Sequence, residues 1–172
     1  MRGFVTLERL RSVLDFDPSS GIFRWKVQIG PRAPAGTIAG SVKSPTNEGP
    51  YVSIKIDGYE YRAHRLAWFY VFEEWPTKQL DHKNRDARDN RICNLRIADP
   101  RQNSANRGPS SRSKSGLKGV SIRPGRTPRW VSTIQVDGVA KHLGTFDTAD
   151  AAATAFDAAA LDAYGEFAYQ NF

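Results

Sequence analysis

The 172-residue chain is 40% hydrophobic and 11% aromatic, which excludes a disordered polyelectrolyte; its length permits one domain or two small ones. Its formal charge of +7 is unevenly spread: His82 to Arg129 holds 13 Lys/Arg against 3 Asp/Glu, whereas Asp147 to Phe172 has five acids and no Lys or Arg. A single cysteine, Cys93, excludes an internal disulfide and a Cys-rich zinc site, and no apolar run approaches transmembrane length.

In chain order, Thr6 is placed to cap a short helix with Leu7, Leu10 and Leu14 on one face. Asp17-Pro18-Ser19-Ser20-Gly21 reads as a turn into a strand from Ile22 to Val27. The Gly/Pro/Ala-rich stretch Gly30 to Gly40 is expected to cross the surface. Tyr51 to Asp57 alternates strictly, with Val52, Ile54 and Ile56 on one side, and Asp57-Gly58 predicts a hairpin into Tyr59 to Ala63. His64 to Phe72 reads as a buried helix ending before Pro76. His64 itself reads as a buried hydrogen-bonding residue, and Cys93 as a small hydrophobe.

Asp81 and His82 close a short apolar stretch and are expected on a strand, their side chains on opposite sides. Arg85 to Arg91 is turn-like, Asn94 to Ile97 returns as a second strand, and Asp99 caps a helix starting at Pro100. Asn103 and Arg107, four apart, then share a face of that helix. Asn84, Asn90 and Asn106 are expected to serve the loop rather than the chemistry.

Gly108 to Gly116 has the composition of a flexible basic linker. Beyond it, Gly119 to Arg123, Arg129 to Val136 and Lys141 to Phe146 predict three strands, with turns at Pro124-Gly125 and Asp137-Gly138. Thr148 caps an alanine-rich helix running to about Tyr164, stopped by Gly165, whose small face suits close packing on a sheet. The fold class expected is α+β. A small mixed sheet and a ββα motif at about 79–107 occupy 1–108, residues 109–115 link, and a three-stranded antiparallel sheet on one helix fills 116–172.

A carboxylate, an imidazole and two carboxamides inside an arginine-rich segment suit hydrolysis of a polyanion. Asp81 and Asn103 offer oxygen donors to one hard divalent cation, Mg2+ or Mn2+. Adjacent His82 is placed to deprotonate water, and Asn94 to brace the hairpin or the imidazole.

This pattern resembles the phage-type HNH homing endonucleases with a ββα-metal motif. The carriers are Asp81-His82, Asn94 twelve residues later and Asn103 nine further on, together with the flanks YRAHRLAWFYVFEEWP and NLRIADPRQNSANR. The resemblance implies that Asp81 and Asn103 bind the metal, that His82 is the general base and that Asn94 is structural. Arg85, Arg88 and Arg107 are candidate DNA-binding residues, as suits a polyanionic substrate.

The second half resembles the DNA-binding domain of plant ethylene-response factors through KGVSIRP, RWVSTI, HLGTFDTADAAATAFDAAA and the closing NF. That resemblance implies a sheet in the major groove, with Lys118, Arg123, Trp130 and Gln135 as contacts and Arg126, Arg129 and Lys141 as phosphate binders. Ser121 and Thr133 depart from the longer, charged side chains frequent in the plant proteins, so the target sequence does not transfer. The expected partner is double-stranded DNA, bound by a monomer in the cytoplasm with no membrane contact. The competing expectation is a non-catalytic DNA-binding regulator that keeps a nuclease-like fold.

Overall fold

The computed structural model describes residues 5–31, 33–44, 49–125 and 129–172. The chain divides into two compact units, Met1–Ile97 and Ala98–Phe172. The architecture is α+β, built from several small sheets and short helices.

In the first unit, α1 (Leu7–Val13) begins where the Thr6 hydroxyl accepts the Arg9 amide at 3.1 Å. It ends one residue earlier than expected. Leu14 fits the apolar helix face equally well, but it opens β1 (Leu14–Asp17), which pairs antiparallel with β2 (Ile22–Trp25) and leaves Leu14 fully buried. The turn between them is held by Asp17, whose carboxylate accepts both Ser19 and Ser20 hydroxyls at 2.6 Å; these bonds pull its pKa down to about 2. Gly21 is required in that turn. Its φ is +72°, and a Cβ there would lie 2.4 Å from the Arg91 amide nitrogen, so the turn packs against the arginine-rich loop.

A strand not foreseen, β3 (Ser41–Lys43), joins β4 (Tyr51–Ile56) and β5 (Tyr59–Arg62) in an antiparallel sheet of order β3-β4-β5. The N-terminal strands thus form two separate antiparallel sheets rather than one mixed sheet. Helix α2 (Ala63–Phe72) follows and terminates at Glu73, which adopts a left-handed φ of 62°. Leu10, Leu14, Ile54 and Leu66 are fully buried, and Phe16, Phe23, Trp25, Phe69 and Leu95 join the same core. Leu95 anchors to this core the small sheet of β6 (Gln79–His82) and β7 (Leu95–Ala98).

The second unit opens with α3 (Pro100–Asn106). Asp99 accepts the amides of Arg101 and Gln102, and the Gln102 side chain returns to the Asp99 amide, a reciprocal cap. In the linker, serine hydroxyls bind nearby carbonyls: Ser115 donates to Val120 at 2.7 Å. Strands β8 (Val120–Arg123), β9 (Arg129–Val136) and β10 (Val139–Phe146) form an antiparallel sheet of order β10-β9-β8. β10 starts two residues earlier than the pattern predicts and carries a bulge between His142 and Gly144.

Helix α4 (Ala149–Tyr164), capped by Thr148, lays Ala152, Ala153, Phe156 and Ala160 against this sheet. The approach is close enough that a Cβ on Gly119 would sit 1.9 Å from the Phe156 ring. Buried Asp157 on α4 accepts the backbone amides of Asn171 and Phe172 and the Asn171 side chain, whose Oδ1 in turn accepts the Lys118 amide at 2.8 Å. This clamp gives the closing Asn171-Phe172 pair a structural purpose. Among the described residues no helix is long and apolar enough to cross a membrane.

Candidate functional site

The site begins on β6, where Asp81 and His82 are both buried, at 5% and 7% exposure. Alternation along the strand sends them to different partners. The Asp81 carboxylate meets Arg96 on β7: Nε donates to Oδ2 at 2.9 Å and the second guanidinium nitrogen lies 2.8 Å from the same oxygen. Arg96 escaped the sequence reading because an arginine in a basic segment looks like a phosphate contact. The available signal was its place inside the short apolar strand Leu95-Arg96-Ile97-Ala98.

His82 meets His64, in the first turn of α2; the two rings stand at 89° with centroids 5.0 Å apart. Burial, reinforced by His82, Arg62 and Arg65 nearby, lowers the His64 pKa to about 3, so this imidazole is neutral in the folded chain. Burial also lowers the His82 pKa. The Asn90 side chain and the carboxylates of Asp81, Asp89 and Asp86 work in the opposite direction. Sequence reasoning gave Asn90 only a loop role, and the structure adds this electrostatic one.

The sign of the His64 effect on stability follows from its two states. Between about pH 3 and 6.5 an unfolded His64 binds a proton that the folded one excludes. His64 therefore costs stability as pH falls below 6.5, at about 1.4 kcal/mol per pH unit. Urea unfolding from pH 7.5 to 5 should show a steeper loss for the native chain than for His64→Phe. Equal slopes would contradict the assignment.

The β6–β7 connection is tied together by amides. Asn94 Oδ1 accepts the Asn84 amide at 3.0 Å, while Asn94 Nδ2 donates to Asn84 Oδ1 and to the Asp89 carbonyl. Asn84 Nδ2 adds a 2.7 Å bond to the Asp89 carboxylate. Arg88 forks onto Asp86 and Arg91 onto Asp89, so each of these exposed cations has an acidic neighbour. Arg85 is exposed at a positive φ of 66°. Cys93, read from the sequence as a small hydrophobe, lies exposed just before Asn94.

The structure brings Asp81, His82, Asn94, Arg85 and Arg88 together in the first unit, while Asn103 and Arg107 belong to the second. Asn103 is half-buried on α3, and Arg107 follows the helix as its exposed C-cap. Lys118, expected among the DNA contacts, instead directs its ammonium at the end of α3. It donates to the carbonyls of Ser104, Ala105 and Arg107 at 3.2, 2.5 and 2.7 Å and lies 5.5 Å from the centroid of the Tyr169 ring. Among the described residues no group of three or more His, Cys, Asp or Glu side chains could hold a metal ion.

On the C-terminal sheet, Trp130 faces α4 and packs with the Val120, Ala152 and Ala153 cluster, so it serves the core. Lys141 pairs with buried Ile134, placing it at the edge on the helix side. The opposite face presents Arg123, Arg129, Thr133 and Gln135, with His142 beside Thr133. Arg129 pairs with exposed Asp147 at 2.8 Å. Arg126 lies outside the described residues.

The HNH endonuclease family model matches residues 61–105, the segment that holds Asp81, His82, Asn94 and Asn103. An uncharacterized HNH endonuclease of Acanthamoeba polyphaga mimivirus is 29% identical over 120 residues, covering 69% of this chain and 61% of the viral protein. Dehydration-responsive element-binding protein 1B of Oryza sativa, in both the japonica and indica subspecies, is 51% identical over 60 residues, covering 33% of this chain. The chain spans only 28% of the length of those rice proteins. No solved structure gives a significant match.

Proposed function

We propose that this chain is a DNA endonuclease in which His82 is the general base. The observation that supports it best is the buried Asp81-His82 pair on β6, inside the stretch that matches the HNH endonuclease family. His82 is proposed to take a proton from the attacking water, and Asn94 to fix the loop on which the imidazole depends. Asp81 and Asn103 are proposed as the protein donors to one Mg2+ or Mn2+. A carboxylate and a carboxamide oxygen suit a hard cation that keeps several water ligands. When bound, such an ion offsets the negative charge on the scissile phosphate.

The face carrying Arg123, Arg129, Thr133 and Gln135 is proposed to enter the major groove, while α4 backs the sheet. A nuclease with its own reader cuts few sites, which fits a phage-type homing role in the host cytoplasm. One such site per chain makes a nick the expected product of a monomer.

The test is cleavage of end-labelled duplex DNA from the gene's own neighbourhood. Cutting should require Mg2+ or Mn2+, stop with chelator and return when the ion is restored. Its binding constant should fall with salt by about 0.9 log units per log salt for each phosphate contacted. Cleavage that persists in chelator would overturn the metal assignment.

One observation favours a second reading, a DNA-binding regulator without activity: the Asp81 carboxylate is already engaged by buried Arg96. Specific duplex binding with no cleavage under any divalent ion would support that reading.

A further inference from the structure

We propose that His64 is a positioning residue for His82, its ring, packed edge to face with the imidazole, setting the plane of the His82 ring. This rests on the reading of His82 as the base. The two rings meet edge to face, at 89° and 5.0 Å between centroids, with exposures of 8% and 7%. In this arrangement the positive edge of one aromatic ring lies over the negative face of the other, which fixes orientation as well as distance.

The ordinary explanation for a buried histidine is a hydrogen-bond network, and here it fails. His64 Nδ1 is buried and has no hydrogen-bond partner among the described residues. A buried polar atom left without a partner costs stability, and a leucine or phenylalanine would fill the volume without that cost. His64 is also neutral in the fold, so it neither pairs with an anion nor competes as a base. What remains is its ring against His82, at the first turn of a helix whose Leu66, Ala67 and Phe69 lie in the core. The His64 ring is therefore mounted on a rigid element, as a catalytic constellation requires.

The experiment compares His64→Leu, His64→Phe and the unmodified chain in metal-dependent cleavage of duplex DNA, with a thermal melt confirming that each variant folds. Leu fills the space without an aromatic ring; Phe restores the ring without nitrogens. The expected result for Leu is a kcat about tenfold or more lower with KM unchanged, because small misplacements of a reacting group cost rate rather than affinity. Phe should return kcat to within about threefold of the native value. Equal kcat for Leu and the native chain, or equal loss in Leu and Phe, would overturn the proposal.

The imidazole nitrogen resonances of His82 give a readout independent of turnover. They should shift in Leu and remain near native in Phe. If the native chain cuts no DNA, or His82→Ala cuts at the native rate, the base assignment fails, and the resonances still decide whether His64 orients the ring. Unshifted resonances in Leu would overturn the proposal.

Discussion

His82→Ala is expected to lower the metal-dependent cleavage rate by about 10²–10⁴-fold, the usual contribution of a positioned acid or base. Binding of duplex DNA should change little, because His82 is not among the residues proposed to hold the DNA. The pH profile gives the sharper discrimination. A base works in its neutral form, and burial depresses the His82 pKa below the ordinary 6.5. Acidification therefore removes activity only once pH falls through that depressed value, so the plateau should extend below pH 6.5. Asn90→Ala removes a neighbour that favours the imidazolium and should extend the plateau further toward acid. A plateau ending above pH 6.5, or native rates in His82→Ala, would rule out this base.

The second large effect concerns stability. Arg96→Ala leaves the Asp81 carboxylate, 6% exposed in its side chain, without the guanidinium that faces it. Breaking a buried pair from one side typically costs about 3–5 kcal/mol, a large share of a total stability of about 5–15 kcal/mol. The urea midpoint should fall accordingly. A double variant, Asp81→Leu with Arg96→Met, replaces both charges with apolar bulk and should recover much of the loss. If Arg96→Ala shifts stability by less than about 0.5 kcal/mol, the pair is not the structural element its burial implies. Comparing the single and double variants also separates folding from chemistry, since the double variant should fold yet lack a carboxylate to offer a cation.

What was legible in the sequence was local. Thr6, Asp99 and Thr148 announced helix starts because a capping side chain acts on amides two or three residues away. The alternation along β4 likewise predicts buried Ile54 and Ile56, although Val52 is only half-buried and Ser53 is buried against the pattern, and the alanine face of α4 predicts what that helix buries. Where two local patterns agreed on one residue, the sequence was silent: Leu14 suits both the helix face and the strand that it opens. Long-range pairings were invisible for a different reason. Nothing near Arg96 says that its partner is fifteen residues back, and nothing near Lys118 says that its ammonium meets carbonyls at positions 104, 105 and 107. Lys118 reads as a DNA contact and Arg96 has no role in the sequence reading, yet both are held by the protein itself. Trp130 reads equally well as a DNA contact or a core aromatic, and its packing with Val120, Ala152 and Ala153 places it with the core.

The attachment of α3 bears on where such a chain can be divided. Its sequence continues the HNH-matching stretch, yet its last carbonyls are gripped by Lys118 and the Ala105 carbonyl accepts the Tyr169 amide at 3.1 Å. A chain cut in the serine-rich stretch at 109–115 would leave this helix without either grip. Such a fragment would carry a frayed helix. A fragment that keeps α3 ordered needs both Lys118 and the segment around Tyr169, or equivalent partners for those carbonyls.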